Sequence, residues 1–257
     1  MSYQMVTFEI DDGIGRFELN APERSNPIDD VCAREILQVA EACTAAHDLR
    51  CLLITGAGPR FSVGGDIASF AETGAELPQR LRDDIECFHR ALELFRALPA
   101  PIVTEVKGAA AGGALGLVYI ADLAFAAPGT KFATGFIELG LTGDGAGTWF
   151  LPRLVGLKRA LEIYMTNRVL DAEEAASLGI ITRVVEEAKL RDHCLTVARS
   201  LAERPGAVLK SIRTLMFAAA DTPFDQHLRN ETEAICEAAA GDYAQAAVKA
   251  IAERLRG

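Results

Sequence analysis

The segments Phe61-Ser62-Val63-Gly64-Gly65-Asp66-Ile67 and Lys107-Gly108-Ala109-Ala110-Ala111-Gly112-Gly113-Ala114-Leu115-Gly116 carry the strongest signal in this chain. Each follows an apolar run typical of a buried β-strand, at 51–55 and 102–106, and each leads into a helical pattern. Glycines at strand-to-helix turns let a backbone N–H face a ligand without an intervening side chain. Two such N–H groups that converge on one oxygen would form an oxyanion hole, which stabilises a developing negative charge.

The surrounding sequence alternates between strand and helix signals, which is typical of an α/β fold with parallel strands. Strands are predicted at 6–10, 15–19, 51–55, 102–106 and 123–126, and helices at 29–47, 78–98 and 112–120. From about residue 157 onward helices dominate, at 158–166, 171–178, 189–203, 206–219, 223–239 and 243–255, with one strand at 181–185. The spacer Ala71 to Gln79 is predicted to be a loop over the pocket.

Composition and charge narrow the class of protein. The chain has 257 residues, of which 50% are hydrophobic and 24% are charged, as in ordinary globular proteins. No apolar run approaches the ~20 residues that span a bilayer, and the N-terminus does not resemble a signal peptide. We therefore predict a cytoplasmic protein with no membrane association. The net charge of −10 argues against nucleic acid as a partner.

The cysteines and histidines give no sign of a metal site or of disulfides. The six cysteines are scattered, without a CxxC pair, and are interpreted as reduced, partly buried thiols. Each of the four histidines stands alone in a helical pattern and is assigned a surface or packing role. Arg24, Arg60 and Lys107 flank the glycine segments; they could hold a phosphate group, or could equally be solvated surface charges.

An ordered set of motifs resembles the crotonase superfamily, also called the enoyl-CoA hydratase/isomerase superfamily. The set comprises Asn20-Ala21-Pro22-Glu23-Arg24-Ser25-Asn26, the two glycine segments, Asp122, and the stretch GLTGDGAGTWFLPRLVG at 140–156. The match extends from about Val6 to about Val185. One Gly-Gly pair carries little information, whereas the motifs in this order are specific.

The resemblance implies a spiral of repeated ββα units in residues 1–200 and a helical C-terminal trimerisation region in residues 201–257. It also implies a homotrimer, or a hexamer built from two trimers, and an acyl-CoA thioester as substrate, with coenzyme A as part of that substrate and no separate cofactor. The thioester oxygen would accept hydrogen bonds from the N–H groups of Gly65 and Gly113. The CoA moiety would lie along Gly65, Asp66, Ile67 and Ala68, with Arg24 nearby.

Two positions depart from the hydratase pattern. By the resemblance, the two hydratase glutamates correspond to Gly116 and Phe136 in this chain. Adding water across a double bond requires a base for the water proton and an acid for the carbon. Ordinary hydration is therefore not expected.

A different carboxylate, Asp144, matches the acid/base position of enoyl-CoA isomerases. The pattern around it is closest to that of the ring-opening epoxyphenylacetyl-CoA isomerases. Asp between glycines is also a common turn or N-cap residue, so a structural role is the alternative. In an apolar acyl pocket lined by Phe136, Trp149 and Phe150, burial would raise its pKa toward a useful range. Glu138 is the second candidate for the proton carrier.

Three further charged residues are assigned roles outside the proton transfer. Asp66 is predicted to be a helix N-cap, Asp122 to be structural, and Lys249 to be solvated or to approach a CoA phosphate.

The sequence favours an enoyl-CoA isomerase. The alternatives are a hydratase or another crotonase-type lyase or hydrolase, a catalytically silent acyl-CoA-binding homologue, and a glycine-rich nucleotide-binding module. The last is disfavoured because neither GxGxxG nor GxxxxGK[ST] follows a predicted strand.

Overall fold

The computed structural model describes residues 3–256. Its strands are β1 (Val6–Asp11), β2 (Ile14–Leu19), β3 (Pro27–Ile28), β4 (Cys51–Gly56), β5 (Gly64–Gly65), β6 (Ile102–Val106), β7 (Ala109–Ala111), β8 (Leu123–Ala126), β9 (Lys131–Ala133), β10 (Leu170–Asp171) and β11 (Arg183–Val184). Its α-helices are α1 (Asp30–Ala45), α2 (Ile67–Thr73), α3 (Leu77–Ala97), α4 (Leu115–Tyr119), α5 (Gly147–Val155), α6 (Leu157–Met165), α7 (Ala172–Ser177), α8 (Glu187–Ala202), α9 (Gly206–Ala218), α10 (Phe224–Ala239) and α11 (Asp242–Arg254). These elements confirm the predicted α/β class with a helical C-terminal region.

The main sheet has the order β1-β2-β4-β6-β8-β11, and only the β1–β2 pair is antiparallel. The β1–β2 hairpin turns at Asp12 and Gly13, whose φ angles of 50° and 75° suit the twist of a tight hairpin. Every residue of β4 and β6 is buried. Strands buried along their whole length are expected where helices cover both faces of a parallel sheet.

Helices form a layer on each face of this sheet. On one face α1 and α3 pack together, and α1 begins at Asp29, whose side chain accepts a hydrogen bond from the Cys32 N–H at 2.9 Å. On the other face α8 contributes Leu190, Cys194 and Ala198 to a second core with strands β4, β6 and β8. The sheet therefore holds the ends of β4 and β6, from which the glycine segments depart, in fixed positions.

Two small sheets bring the glycine segments side by side. Strand β3 pairs with β5, and β7 pairs with β9, which also pairs with β10. A parallel bridge joins Ser62 to Ala110. The Ser62 N–H donates to the Ala109 carbonyl at 3.1 Å, and the Ala111 N–H donates to the Ser62 carbonyl at 3.0 Å. Segments about 45 residues apart in sequence are thus adjacent in the fold.

The C-terminal helices α9–α11 are more exposed than the rest of the fold. The residue buried in α9 is Arg213, and α10 and α11 have no buried residue among those described. The Arg213 guanidinium donates to Asp122 Oδ1 at 2.7 Å and to the Leu98 carbonyl, so a buried cation ties α9 to the core. Asp122 also accepts from the Ile102 N–H at 2.7 Å, which agrees with its predicted structural role. The boundary at residue 200 stays a prediction.

One predicted loop is wrong. The spacer Ala71 to Gln79 contains the end of α2, the short 3-10 helix Gly74–Glu76 and the start of α3. Glycine and proline in AETGAELPQ suggest a loop, but proline is compatible with the first turn of a helix, as in α3. Within residues 3–256, none of the helices is long and apolar enough to cross a membrane.

Candidate active site

A cavity of about 600 Å³ lies where the two glycine segments meet α3 and the loop that contains Asp144. This volume is within the usual range for small-molecule sites. Its wall contains six residues that the sequence motifs predicted for the site: Gly65, Ile67, Gly113, Phe136, Glu138 and Asp144. The fold thus gathers the predicted reaction groups around one cavity.

The first glycine segment is held by the side chain of Asn26. Its amide nitrogen donates to the carbonyls of Arg60 at 2.9 Å and Phe61 at 3.0 Å, and its amide oxygen accepts from the Ala21 N–H at 2.8 Å. Gly64 has a φ of +81°, and a Cβ there would lie 2.5 Å from the Ala111 carbonyl oxygen. Only glycine fits this close approach of the two segments.

The second glycine segment opens a helix toward the cavity. Gly112–Ala114 form a 3-10 turn that continues into α4. The N–H of Gly113 belongs to the first turn, whose amides have no partner within the helix. A Cβ built on Gly113 would lie 2.7 Å from Asp144 Oδ1. The carboxyl of Asp144 therefore lies directly against Gly113.

The backbone around Asp144 is shaped by close glycine contacts. Gly145 has a φ of +58°, and a Cβ there would lie 2.4 Å from the Gly113 carbonyl oxygen. A Cβ on Gly116 would lie 2.7 Å from the Gly145 carbonyl oxygen and 3.0 Å from Leu92 Cδ1. The absence of a side chain at position 116 therefore lets the Asp144 loop pack on α4.

Asp144 is in an environment that disfavours its charge. Its Oδ1 atom is buried and has no hydrogen-bond partner among the described residues. Burial raises the pKa of the Asp144 carboxyl, and the neighbouring His89, when protonated, acts in the opposite sense. Burial also raises the pKa of Tyr164 to about 12, with a further contribution from Asp144.

His89, which the sequence assigned a surface or packing role, contacts the Asp144 loop. It lies in the cavity wall, and the Gly145 N–H donates to its Nε2 at 3.2 Å. In this hydrogen bond the Nε2 atom of His89 is the acceptor. The helical pattern of α3 showed which residues share a face, but not that the loop at 143–145 packs on that face.

Of the three aromatic residues predicted to line the pocket, Phe136 does so, whereas Trp149 and Phe150 do not. Phe136 lies in the cavity wall and stacks on Tyr164, with ring centroids 6.2 Å apart. Trp149 instead packs on Arg153, whose guanidinium carbon lies 3.9 Å from the centroid of the indole ring. Phe150 contacts Trp149 edge to face, with ring centroids 4.7 Å apart. Both lie on α5, and neither lines the cavity.

The residues predicted to hold CoA divide into two groups. Gly65 and Ile67 line the cavity, whereas Arg24, Asp66 and Ala68 are outside its wall. Asp66 caps α2 by accepting the Ser69 N–H at 3.3 Å, as predicted, and it also pairs with Arg24 Nη2 at 2.6 Å. The Arg24 guanidinium is thus engaged in an ion pair with Asp66. A role of Arg24 in CoA binding remains a prediction.

Comparisons with known proteins agree with this geometry. The sequence model of the family described as "Enoyl-CoA hydratase/isomerase" matches residues 9–256. The chain belongs to this family. It is therefore a crotonase-superfamily protein, as the ordered motifs predicted, and it is not a nucleotide-binding module of unrelated fold.

Relatives in the family carry different activities in their names. A probable enoyl-CoA hydratase of Rhodobacter capsulatus is 32% identical over 231 residues, which cover 90% of this chain and 88% of that protein. The 1,2-epoxyphenylacetyl-CoA isomerase of Escherichia coli is 31% identical with the same coverage. The crystal structure of an enoyl-CoA hydratase/isomerase from Cupriavidus metallidurans superposes with a TM-score of 0.89 at 26% identity, covering 99% of this chain and 95% of that one. The family thus supports hydratase or isomerase activity on acyl-CoA.

Proposed function

We propose that this family member is an enoyl-CoA isomerase that moves a carbon–carbon double bond along an acyl-CoA thioester. The observation that carries the proposal is the contact between Asp144 and Gly113 in the wall of one cavity. It puts a carboxyl next to a backbone donor at the start of a helix. An enolate-forming reaction needs this combination of a base and a stabilised oxygen.

In the proposed reaction, the thioester oxygen accepts hydrogen bonds from the N–H groups of Gly65 and Gly113. The Asp144 carboxylate removes a proton from an acyl carbon, and the electron pair of that C–H bond moves through the conjugated system onto the thioester oxygen. The resulting enolate collapses by taking the same proton from Asp144 on a different carbon. One carboxyl is sufficient, because the proton is moved and none is consumed.

The reaction requires coenzyme A only as part of the substrate and no other cofactor. The stretch Gly65 to Ala68 would contact the CoA moiety, and its first and third residues already lie in the cavity wall. Arg24 stands beside this stretch through its pairing with Asp66. A cytoplasmic location remains a prediction.

Hydration is the second candidate function, and the position of Glu138 favours it. This exposed glutamate lies in the wall of the same cavity as Asp144 and would be a second candidate for proton transfer. Two carboxylates could divide the work of activating water and protonating carbon. A relative named as a hydratase is as similar as the relative named as an isomerase.

An assay with two substrates separates these functions. The purified protein is mixed with a 3-enoyl-CoA and, separately, with a 2-enoyl-CoA, and both double-bond position and water addition are followed. We expect interconversion of the two positional isomers without hydration. Rapid hydration of the 2-enoyl-CoA would establish the hydratase, cleavage or hydrolysis would indicate a lyase or hydrolase, and binding without turnover would indicate a silent homologue.

Installing one of the two missing hydratase glutamates, at position 116, is not expected to create a hydratase. In Gly116→Glu the new side chain would begin 2.7 Å from the Gly145 carbonyl oxygen, which is backbone and cannot rotate away. We expect a lower melting temperature and a loss of isomerase activity with no hydration. The assay is water addition to 2-enoyl-CoA alongside thermal unfolding. Gain of hydration by a stable variant would contradict the packing argument.

The assembly proposed for the chain is a homotrimer or a hexamer, and it rests on the exposed apolar surface of α9–α11. Met216, Phe224, Ile235, Val248 and Leu255 are each at least two-thirds exposed in the single chain. Exposed apolar surface of this extent is typical of an interaction site. Association of three chains through these helices would cover it.

We expect light scattering after size exclusion to give the mass of three or six chains. The double substitution Phe224→Glu and Ile235→Glu places charges in the apolar surface and should lower the mass. Gln226→Glu, an exposed polar position on the same helix, is the matched control and should leave the mass unchanged. A monomeric wild type would exclude the trimer.

A further inference from the structure

One carboxyl interrupts the apolar face that α3 turns toward the cavity. Leu81, Asp84, Ile85 and Phe88 have the i, i+3, i+4, i+7 spacing of a single helix face, and all four line the cavity. Three of them are the apolar residues that an acyl-binding wall needs. Asp84 stands where this pattern calls for a fourth apolar side chain. A local departure of this kind is expected where function requires it.

The Asp84 side chain is buried and only half satisfied. It is 6% exposed, and its Oδ2 accepts a hydrogen bond from Arg80 Nε at 2.9 Å. Arg80 also pairs with Asp30 at 3.0 Å, so its guanidinium is shared between α3 and α1. The other carboxyl oxygen, Oδ1, is buried and has no hydrogen-bond partner among the described residues. A buried acceptor without a donor is costly to the folded protein.

A ligand donor would remove this cost. We propose that Asp84 is a recognition residue for a hydroxyl group on the acyl chain, a role that rests on the enoyl-CoA function proposed above. With the thioester held at Gly65 and Gly113, the acyl group enters the cavity that Asp84 lines. The substrate class is then a hydroxylated acyl-CoA, aliphatic or aromatic, in place of a plain hydrocarbon chain.

The protonation of Asp84 is compatible with this role. Burial raises the pKa of the carboxyl, and the hydrogen bond from Arg80 opposes the rise. In its charged form the free oxygen accepts a strong hydrogen bond from a hydroxyl, and in its protonated form it can also donate one. Recognition of a hydroxyl therefore does not depend on one protonation state.

The test is calorimetric titration of matched, non-reacting thioesters into the purified protein. The pairs are hexanoyl- and 6-hydroxyhexanoyl-CoA, octanoyl- and 8-hydroxyoctanoyl-CoA, and phenylacetyl- and 4-hydroxyphenylacetyl-CoA. We expect the hydroxylated member of at least one pair to bind about tenfold or more tightly, since hydrogen bonds to charged groups contribute that much. Asp84→Leu should abolish this preference, and Asp83→Leu, on the exposed side of the same helix, should preserve it.

Each outcome decides a different claim. Equal binding within every pair would overturn the recognition role, as would a preference that survives Asp84→Leu, and Asp84 would then be only a structural partner of Arg80. If Asp84→Leu does not fold, Asp84→Asn keeps the size of the side chain and must still weaken the preference. Failure of all six thioesters to bind would instead refute the enoyl-CoA function itself.

Discussion

Replacing Asp144 with asparagine is expected to lower kcat for double-bond migration by about 10²- to 10⁴-fold, the usual contribution of a general acid–base group. The amide has nearly the same size but cannot take up the proton. Thioester binding should change little, because the donors of Gly65 and Gly113 remain. Steady-state kinetics with 3-enoyl-CoA give kcat, and titration with a saturated acyl-CoA gives the affinity.

Two variants make this result specific. Asp83→Asn changes an exposed aspartate on α3 and should retain full activity. Glu138→Gln should also retain most double-bond migration if Asp144 alone carries the proton. An Asp144→Asn enzyme with undiminished activity, or a Glu138→Gln enzyme that has lost it, would refute the assignment.

The pH dependence of kcat gives a second measure of the same residue. Asp144 acts as a base in its charged form, so activity falls as the pH is lowered through its pKa. Because burial raises that pKa, the acidic limb should lie above the ordinary aspartate range, which is near pH ~3.9. The residual activity of Asp144→Asn should lack this limb.

Replacing Gly113 with alanine is expected to reduce kcat by about 100-fold. The added Cβ would lie 2.7 Å from Asp144 Oδ1, so the carboxyl or the Gly113 backbone has to move. Misplacing a reacting group by about 1 Å lowers the reaction rate by a factor of about 100. Kinetics with 3-enoyl-CoA would measure the loss, and thermal unfolding would report whether the fold is retained.

The matched control for this prediction is Gly206→Ala, at the start of α9. A Cβ there has Arg50 Nε as its nearest neighbour, at 3.9 Å, which is ordinary van der Waals contact. This variant should keep wild-type kinetics. A fully active and stable Gly113→Ala enzyme would show that the contact between Gly113 and Asp144 is not needed for the reaction.

Sequence patterns predicted the large elements of the fold, because these elements depend on local signals. The buried strands β4 and β6 each begin with an apolar run, and α1 begins at an aspartate cap. Strands of two or three residues, such as β5 and β7, were not predicted, since their pairing is set by contacts distant in sequence. Helix α5 was also missed; its interior Pro152 is usually a helix-breaking signal.

The candidate site was predictable where its chemistry lies in the backbone or in a recognisable motif. Gly65, Gly113 and Asp144 were identified from such motifs, and all three line the cavity. His89 and Asp84 were not identified as pocket residues, because a helix pattern does not reveal which loop will pack against it. For Asp84, the break in the apolar face of α3 was a signal that the sequence already contained.

The close packing of Gly113, Gly116 and Gly145 also has an evolutionary consequence. An added Cβ would meet a backbone carbonyl oxygen at Gly116 and Gly145, and the Asp144 carboxyl at Gly113. A change at one of them becomes acceptable only after another has moved. Substitutions at these three positions of this chain are therefore expected to be strongly coupled, with single replacements deleterious and combined replacements better tolerated.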